Sequence, residues 1–168
     1  GGEVLSSPTV ADGIVYIGGQ DKNLYAVDTA TGAEVWAFET NDRVTSSPTV
    51  ADGTVYVGST DHNLYAVDTD TGAEEWAFET DRMVRSSPTV ADGTVYVGSD
   101  DGNLYAVDVA TGNQEWIFEA TGEIGPSPTV VDGTVYVGSD DRNLYAVDAN
   151  TGTQRWIFNT PRSGNSSP

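Results

Sequence analysis

Apolar and polar positions follow one pattern four times along this chain. The run "SSPTVADG" begins at Ser6, Ser46 and Ser86 and returns as "PSPTVVDG" at Pro126, in steps of 40 with no insertion or deletion. Within each step, short runs of β-branched and aromatic residues are bounded by turn-forming residues, the pattern of strands rather than helices. In the second repeat, residues 47–51 are predicted as a first strand. The Asp52-Gly53 pair, which accepts the positive φ values of a type I′ hairpin, leads into a second strand over 54–59. Residues 60–63 turn the chain into a third strand over 64–68, and 69–72 turn it into a fourth over 73–80. No segment between turns is long enough to hold a helical apolar stripe, so no helix is predicted.

A unit of about 40 residues with four antiparallel strands has the size of a propeller blade and is too long for a coil of a β-helix. The predicted fold is therefore all-β: a β-propeller array of four-stranded antiparallel blades, over about residues 6–40, 46–80, 86–120 and 126–160. The "VYVG" run is apolar on both faces, as a strand sandwiched between neighbouring blades must be. Trp76 and Phe78 lie two apart and share one face, where they can fill the gap to the next blade. The blades need one another to bury these faces.

Charge narrows the range of partners. Seven Lys and Arg stand against 26 Asp and Glu, a formal net charge of -19, so nucleic acid and anionic membrane are poor partners. No apolar run approaches the roughly 20 residues that cross a bilayer, and no membrane insertion is expected. The opening Gly-Gly-Glu-Val-Leu lacks the regions of a signal peptide. With no cysteine there is no disulfide and no thiolate chemistry. Lys22 is the single lysine and the acids are mostly Asp on turns, which resembles the surfaces of proteins from salt-loving archaea. An extracellular or cell-surface place in a high-salt organism fits that acidity, although location itself is not written in the chain.

The segment "AVDTATGAEVW" from Ala26 to Trp36 returns at Ala66 to Trp76, Ala106 to Trp116 and Ala146 to Trp156. It resembles the tryptophan-docking motif of the pyrroloquinoline quinone-type β-propeller repeat. The resemblance implies that Ala26, Thr31, Gly32 and Trp36 lock neighbouring blades together, and that Ala66, Gly72, Trp76, Ala106, Gly112, Trp116, Ala146, Gly152 and Trp156 do the same in their repeats. That family includes quinoprotein alcohol dehydrogenases, outer-membrane assembly lipoproteins of the BamB kind, and propeller domains of other proteins. For the dehydrogenases it implies a quinone against a vicinal disulfide and a calcium ion held by residues of inserted loops. This chain has no cysteine, no inserted loop and four repeats. The expectation is a non-enzymatic scaffold or binding module without cofactor; the alternative is a remnant of a quinone-dependent oxidoreductase holding quinone and calcium.

Rings of this family usually resemble eight blades, and four repeats supply half. The expectation is a two-fold homodimer closing the ring, each chain's last blade on the other's first. Residues 1–8 and 161–168 occupy the same place in the repeat, so the segment between blades is present twice. This reads as a piece cut from a longer array or an engineered half-ring.

Strand order puts the turns between second and third strands at one end of the ring, together with the inter-blade connections. Lys22, His62, Gly102 and Arg142 at the turn tips vary between repeats, as do the connections 41–45, 81–85 and 121–125. Six of the seven basic residues (Lys22, Arg43, Arg82, Arg85, Arg142 and Arg162) fall in these segments and Arg155 does not. Lys22, Arg43, His62, Arg82, Arg85 and Arg142 are thus the candidate binding rim, for a small anionic ligand or a partner protein's acidic loop. The competing reading is that these bases neutralise Asp42, Asp61, Asp81 and Asp141 beside them. Asp100-Asp101 and Asp140-Asp141 could suggest calcium, but the spaced acidic loop of a calcium site is missing and Asp suits turns on its own. One histidine and no cysteine offer neither a transition-metal site nor a His-dependent triad, so no metal and no catalytic residue is expected.

The acidity yields a test. At molar salt the Debye length falls to about 3 Å, so the thermal midpoint is expected to rise between dilute buffer and molar KCl. A calorimetric midpoint that does not move would remove the halophilic reading.

Overall fold

The computed structural model describes residues 3, 4 and 6–160. Sixteen strands form four separate four-stranded sheets, each a sequential antiparallel meander, and no helix occurs among the described residues. The first blade holds β1 (Thr9–Ala11), β2 (Ile14–Gly18), β3 (Asn23–Asp28) and β4 (Glu34–Glu39). The second holds β5 (Thr49–Ala51), β6 (Thr54–Gly58), β7 (Asn63–Asp68) and β8 (Glu74–Glu79). The third holds β9 (Thr89–Ala91), β10 (Thr94–Gly98), β11 (Asn103–Asp108) and β12 (Gln114–Glu119). The fourth holds β13 (Thr129–Val131), β14 (Thr134–Gly138), β15 (Asn143–Asp148) and β16 (Gln154–Asn159).

Each first strand starts two residues later than the sequence pattern suggests, because the residues before it bond to the neighbouring blade. Ser47 N–H donates to Ser87 Oγ (2.9 Å), and the Pro48 carbonyl accepts from Thr9 Oγ1 (2.5 Å). The hairpins into the second strands have the I′ geometry, with Asp52 at φ 49° and Gly53 at φ 84°. β6 and β10 are buried along their whole length, as central strands covered on both faces. β8 alternates exposed and half-buried positions over its last residues.

The outer strand carries the device that joins blades. Ala66 pairs with Trp76, but Val67 pairs with Glu74, so Glu75 is the extra residue of a β-bulge that recurs in every blade. The ring beyond the bulge then reaches the next blade. Trp36 Nε1 donates to the Thr69 carbonyl, Trp76 Nε1 to Val109 and Trp116 Nε1 to Ala149, each at 2.9 Å. Each indole lies on the glycine of the receiving turn, where a Cβ at Gly72, Gly112 or Gly152 would come within 2.7 to 2.8 Å of it. These glycines sit at φ 69°, 68° and 68°.

The receiving turn is held by an aspartate. Asp68 Oδ1 accepts Thr71 N–H (2.8 Å) and Thr71 Oγ1–H (2.5 Å), and Asp28, Asp108 and Asp148 do the same in their blades. The hydroxyl and amide of Thr71 hold the Asp68 carboxyl below its ordinary value. Asp148 is lower still, at about 2, because the Arg155 guanidinium (2.7 Å) adds to the Thr151 hydroxyl.

Connections between blades run close over the second strands. Val44 lies on Gly18 and Val84 on Gly58, where a Cβ on either glycine would fall 2.5 Å from the valine; Ile124 covers Gly98. Val44, Val84 and Ile124 are fully buried and belong to three cores, each shared by two neighbouring blades.

Two outcomes test the docking turn. Gly112→Ala puts a Cβ into Trp76 at a left-handed φ and is expected to cost about 2–4 kcal/mol in denaturant unfolding. Asp148 has a folded pKa below its unfolded one, so its contribution is present above about pH 3.9 and is lost as pH falls through about 2. In an NMR titration Arg155→Ala is expected to raise the Asp148 pKa, and the stability gap between the parent and Asp148→Asn is expected to close towards pH 2.

Candidate functional site

The turn tips at the variable end are built alike. Asp61 Oδ1 accepts the Asn63 N–H (3.1 Å), and Asp61 Oδ2 accepts both Tyr65 OH (2.8 Å) and the Asn41 N–H of the preceding connection (2.8 Å). Asp101 and Asp141 repeat this with Tyr105 and Tyr145, and with Asp81 N–H and Thr121 N–H. Burial first, then the bond to the Asp61 carboxylate, raises the Tyr65 phenol well above its ordinary value. Burial pushes the Asp141 carboxyl up, but the bonds from Tyr145, Thr121 and Asn143 outweigh it and leave it low. These carboxylates are tied into the frame. Between the Asp and the Asn stands the variable residue, and Lys22, His62, Gly102 and Arg142 all have positive φ, from 73° to 93°.

The rim bases have different surroundings. Lys22 Nζ donates to the Asn41 carbonyl (2.9 Å). Arg85 makes two bonds to Asp100, Nη2–Oδ2 at 2.7 Å and Nε–Oδ1 at 3.1 Å, and reaches Glu123 Oε2 at 3.3 Å. Asp100 is 6% exposed, and its bond to Arg85 raises the guanidinium pKa. Arg82 Nη1 meets Glu123 Oε1 at 3.2 Å across an exposed gap, worth about 0–1 kcal/mol. Two arginines from one connection, a carboxylate from the next and another from a turn tip thus form one network. The side chains of Arg43, His62 and Arg142 have no hydrogen bond or ion pair among the described residues. Arg162 lies outside the described residues.

A cleft of about 350 Å³ opens between the first and second connections, lined by Asp42, Arg43, Thr45, Thr60, Met83 and Arg85. The Thr45 hydroxyl oxygen is buried and has no hydrogen-bond partner. Met83 is 41% exposed. The cleft therefore joins a guanidinium without an ion pair among the described residues to an exposed thioether, while the Thr45 hydroxyl is turned away from solvent. Sequence reading named Arg43 and Arg85 as rim bases and reached Thr45 and Met83 only as members of the variable connections 41–45 and 81–85. A larger depression of about 560 Å³ lies at the opposite end over Trp76. Its walls come from the second and third blades and include Trp76 and Val109, the donor and acceptor of one indole bond, so it belongs to the seam between blades.

The donor set does not fit a quinone and calcium centre. There is no cysteine for a vicinal disulfide, and no group of three or more His, Asp or Glu among the described residues is placed to hold a metal ion.

Solved structures share the fold. BamB from Moraxella catarrhalis is 27% identical with a TM-score of 0.83, over 93% of this chain and 50% of that one. The quinohemoprotein alcohol dehydrogenase from Comamonas testosteroni is 22% identical with a TM-score of 0.85, over 94% of this chain and 35% of that one. The computationally designed Ika4 protein is 18% identical with a TM-score of 0.76, over 95% of this chain and 92% of that one. The chain thus spans half the length of the BamB and about a third of the dehydrogenase. No curated protein sequence matches it. The family model described as "Outer membrane protein assembly factor BamB" matches residues 1–89 and 69–167. The four-bladed repeat agrees with that match, and the chain belongs to the BamB family of β-propellers.

Proposed function

We propose that this chain is a non-catalytic β-propeller scaffold that binds an anionic group at its variable end. The observation that carries the reading is the cleft between the first two connections, where the Arg43 side chain has no hydrogen bond or ion pair among the described residues. A carboxylate entering there would accept a charge-assisted bond from the Arg43 guanidinium. Met83 offers an apolar wall for whatever carries the anion. The remaining frame is repeated fourfold and singles out no pair of carboxylates for acid/base work. The ligand is a small anion or an acidic loop of a partner protein. The chain's own charge of -19 disfavours large polyanions.

Calorimetric titration with succinate tests the reading. Arg43→Ser is expected to weaken binding by about tenfold or more, the loss of roughly 1.4 kcal/mol of charge-assisted contact. Arg142→Ser, at the tip of the fourth blade, is expected to leave it unchanged. Equal affinity in all three proteins would remove the cleft from consideration. The dehydrogenase alternative makes a separate claim, saturable binding of pyrroloquinoline quinone with calcium; a non-catalytic scaffold is expected to show none in an absorbance titration.

A further inference from the structure

The seam between neighbouring blades is built three times within the chain and left half-built at its two ends. Beyond the three indole bonds, Phe38, Phe78 and Phe118 pack edge-on against Tyr65, Tyr105 and Tyr145 of the next blade, with ring centroids 5.2, 5.2 and 5.0 Å apart. Thr9, Thr49 and Thr89 each donate a hydroxyl hydrogen bond to the carbonyl of Pro48, Pro88 and Pro128.

On the last blade the same donors stand without receivers. Trp156 is 44% exposed where Trp116 is 8%, and Phe158 is 55% exposed. The indole N–H of Trp156 has no acceptor among the described residues. On the first blade the same receivers stand without donors. Gly32 has the left-handed φ of the docking turn, 70°, yet among the described residues a Cβ there would meet nothing within 4 Å, whereas Gly72, Gly112 and Gly152 each carry an indole. Val15, Ile17 and Val27 are partly exposed, while Val55, Val57 and Val67 at the same places in the second blade are fully buried.

The connections carry an independent sign. Val44, Val84 and Ile124 cover Gly18, Gly58 and Gly98, but among the described residues a Cβ at Gly138 would meet only the ring of Pro126, at 3.5 Å. The residue 40 places after Ile124 is Gly164, which has no side chain to offer, whereas the residue 40 places before Val44 is Val4, which is 57% exposed. Val4 is already led in like a connection, since the Glu3 carbonyl accepts Gln20 N–H as the Arg43 carbonyl accepts Thr60 N–H.

We propose that a second copy of this chain supplies what both ends lack. The partner's Gly32 turn receives Trp156, the partner's Val4 covers Gly138, and by the two-fold operation Trp156 of the partner subunit docks on Gly32 of the first chain. Two such junctions close eight blades into a ring. Within one chain the two ends do not meet, since among the described residues a Cβ at Gly32 would meet nothing within 4 Å and the Trp156 indole N–H has no acceptor. Each copy carries a charge of -19, so the junctions tighten as salt screens the repulsion. The proposal does not rest on the ligand cleft, which lies within one chain. A monomer would overturn the ring and leave the binding reading standing.

Light scattering of the full chain in molar KCl is the test, with twice the 17.7 kDa chain mass expected. A monomer at every concentration, a trimer or an open-ended series of masses overturns it. Among the described residues the Trp156 indole N–H has no acceptor and a Cβ at Gly32 would meet nothing within 4 Å, so Trp156→Ala and Gly32→Ala should both keep the parent's circular dichroism. Each spoils two junctions and is expected to weaken dimerisation about 100-fold, tenfold per junction. Mixed together, the two variants regain one intact junction, Trp156 of one on Gly32 of the other, and are expected to associate more tightly than either alone. Parent-like dimers of the single variants, or a mixture no tighter than its components, overturn the head-to-tail assignment, and the mixing arm does so even if one variant proves less stable.

Discussion

An indole resting on a glycine turn is the contact from which the rest of this architecture follows. Hydrogen-bond ladders complete each blade by itself, but no ladder bond passes from one sheet to the next. Cohesion between sheets falls to apolar faces, which fit together at many angles, and to the few polar contacts that choose one. Burial of a large side chain contributes about 1.5–3 kcal/mol and a net hydrogen bond about 1 kcal/mol. The bond from Trp76 to the Val109 carbonyl is small in energy but directional. It forms only if the bulge aims the ring, if the Asp108–Thr111 bonds shape the turn, and if Gly112 leaves room. Three local features of the 40-residue unit therefore serve one long-range contact, and stability runs from neighbour to neighbour along the array.

Much of this frame is legible in the sequence because its causes are local. The Asp52-Gly53 pair declares its turn through the φ values those two residues tolerate, and the structure holds both in that region. The unbroken apolar run of β6 announces a strand covered on two sides, which is where it lies. The bulge is not legible, because alternation along β8 looks the same with or without an extra residue, and only the shift from Ala66–Trp76 to Val67–Glu74 exposes it. The bond from Tyr65 to Asp61 has a visible spacing of four, yet strand patterning assigns the tyrosine to a sheet face and says nothing about its hydroxyl.

The variable end is harder to read for a different reason. Arg85, Asp100 and Glu123 come from a connection, a turn tip and the next connection, so nothing in their spacing announces the network they form. The unsatisfied hydroxyl of Thr45 depends on how two connections pack, which no single repeat encodes. The acidity also changes meaning. Asp28, Asp68, Asp108 and Asp148 each hold a turn by accepting two or more hydrogen bonds as carboxylates. Part of the negative charge is thus built into the frame, and a neutral amide in the same place would be a weaker acceptor.

At the left-handed tips, Lys22, His62, Gly102 and Arg142, the backbone is pinned on both sides, by an aspartate before and an asparagine after, so the residue between them does not choose its own conformation. A cation, an imidazole and a bare hydrogen all occupy this site with φ between 73° and 93°. Side-chain identity at the tips is thereby uncoupled from backbone shape, and each tip is an address that can be rewritten without disturbing the others. A surface assembled from such positions can change what it recognises one residue at a time while the fold beneath it stays fixed.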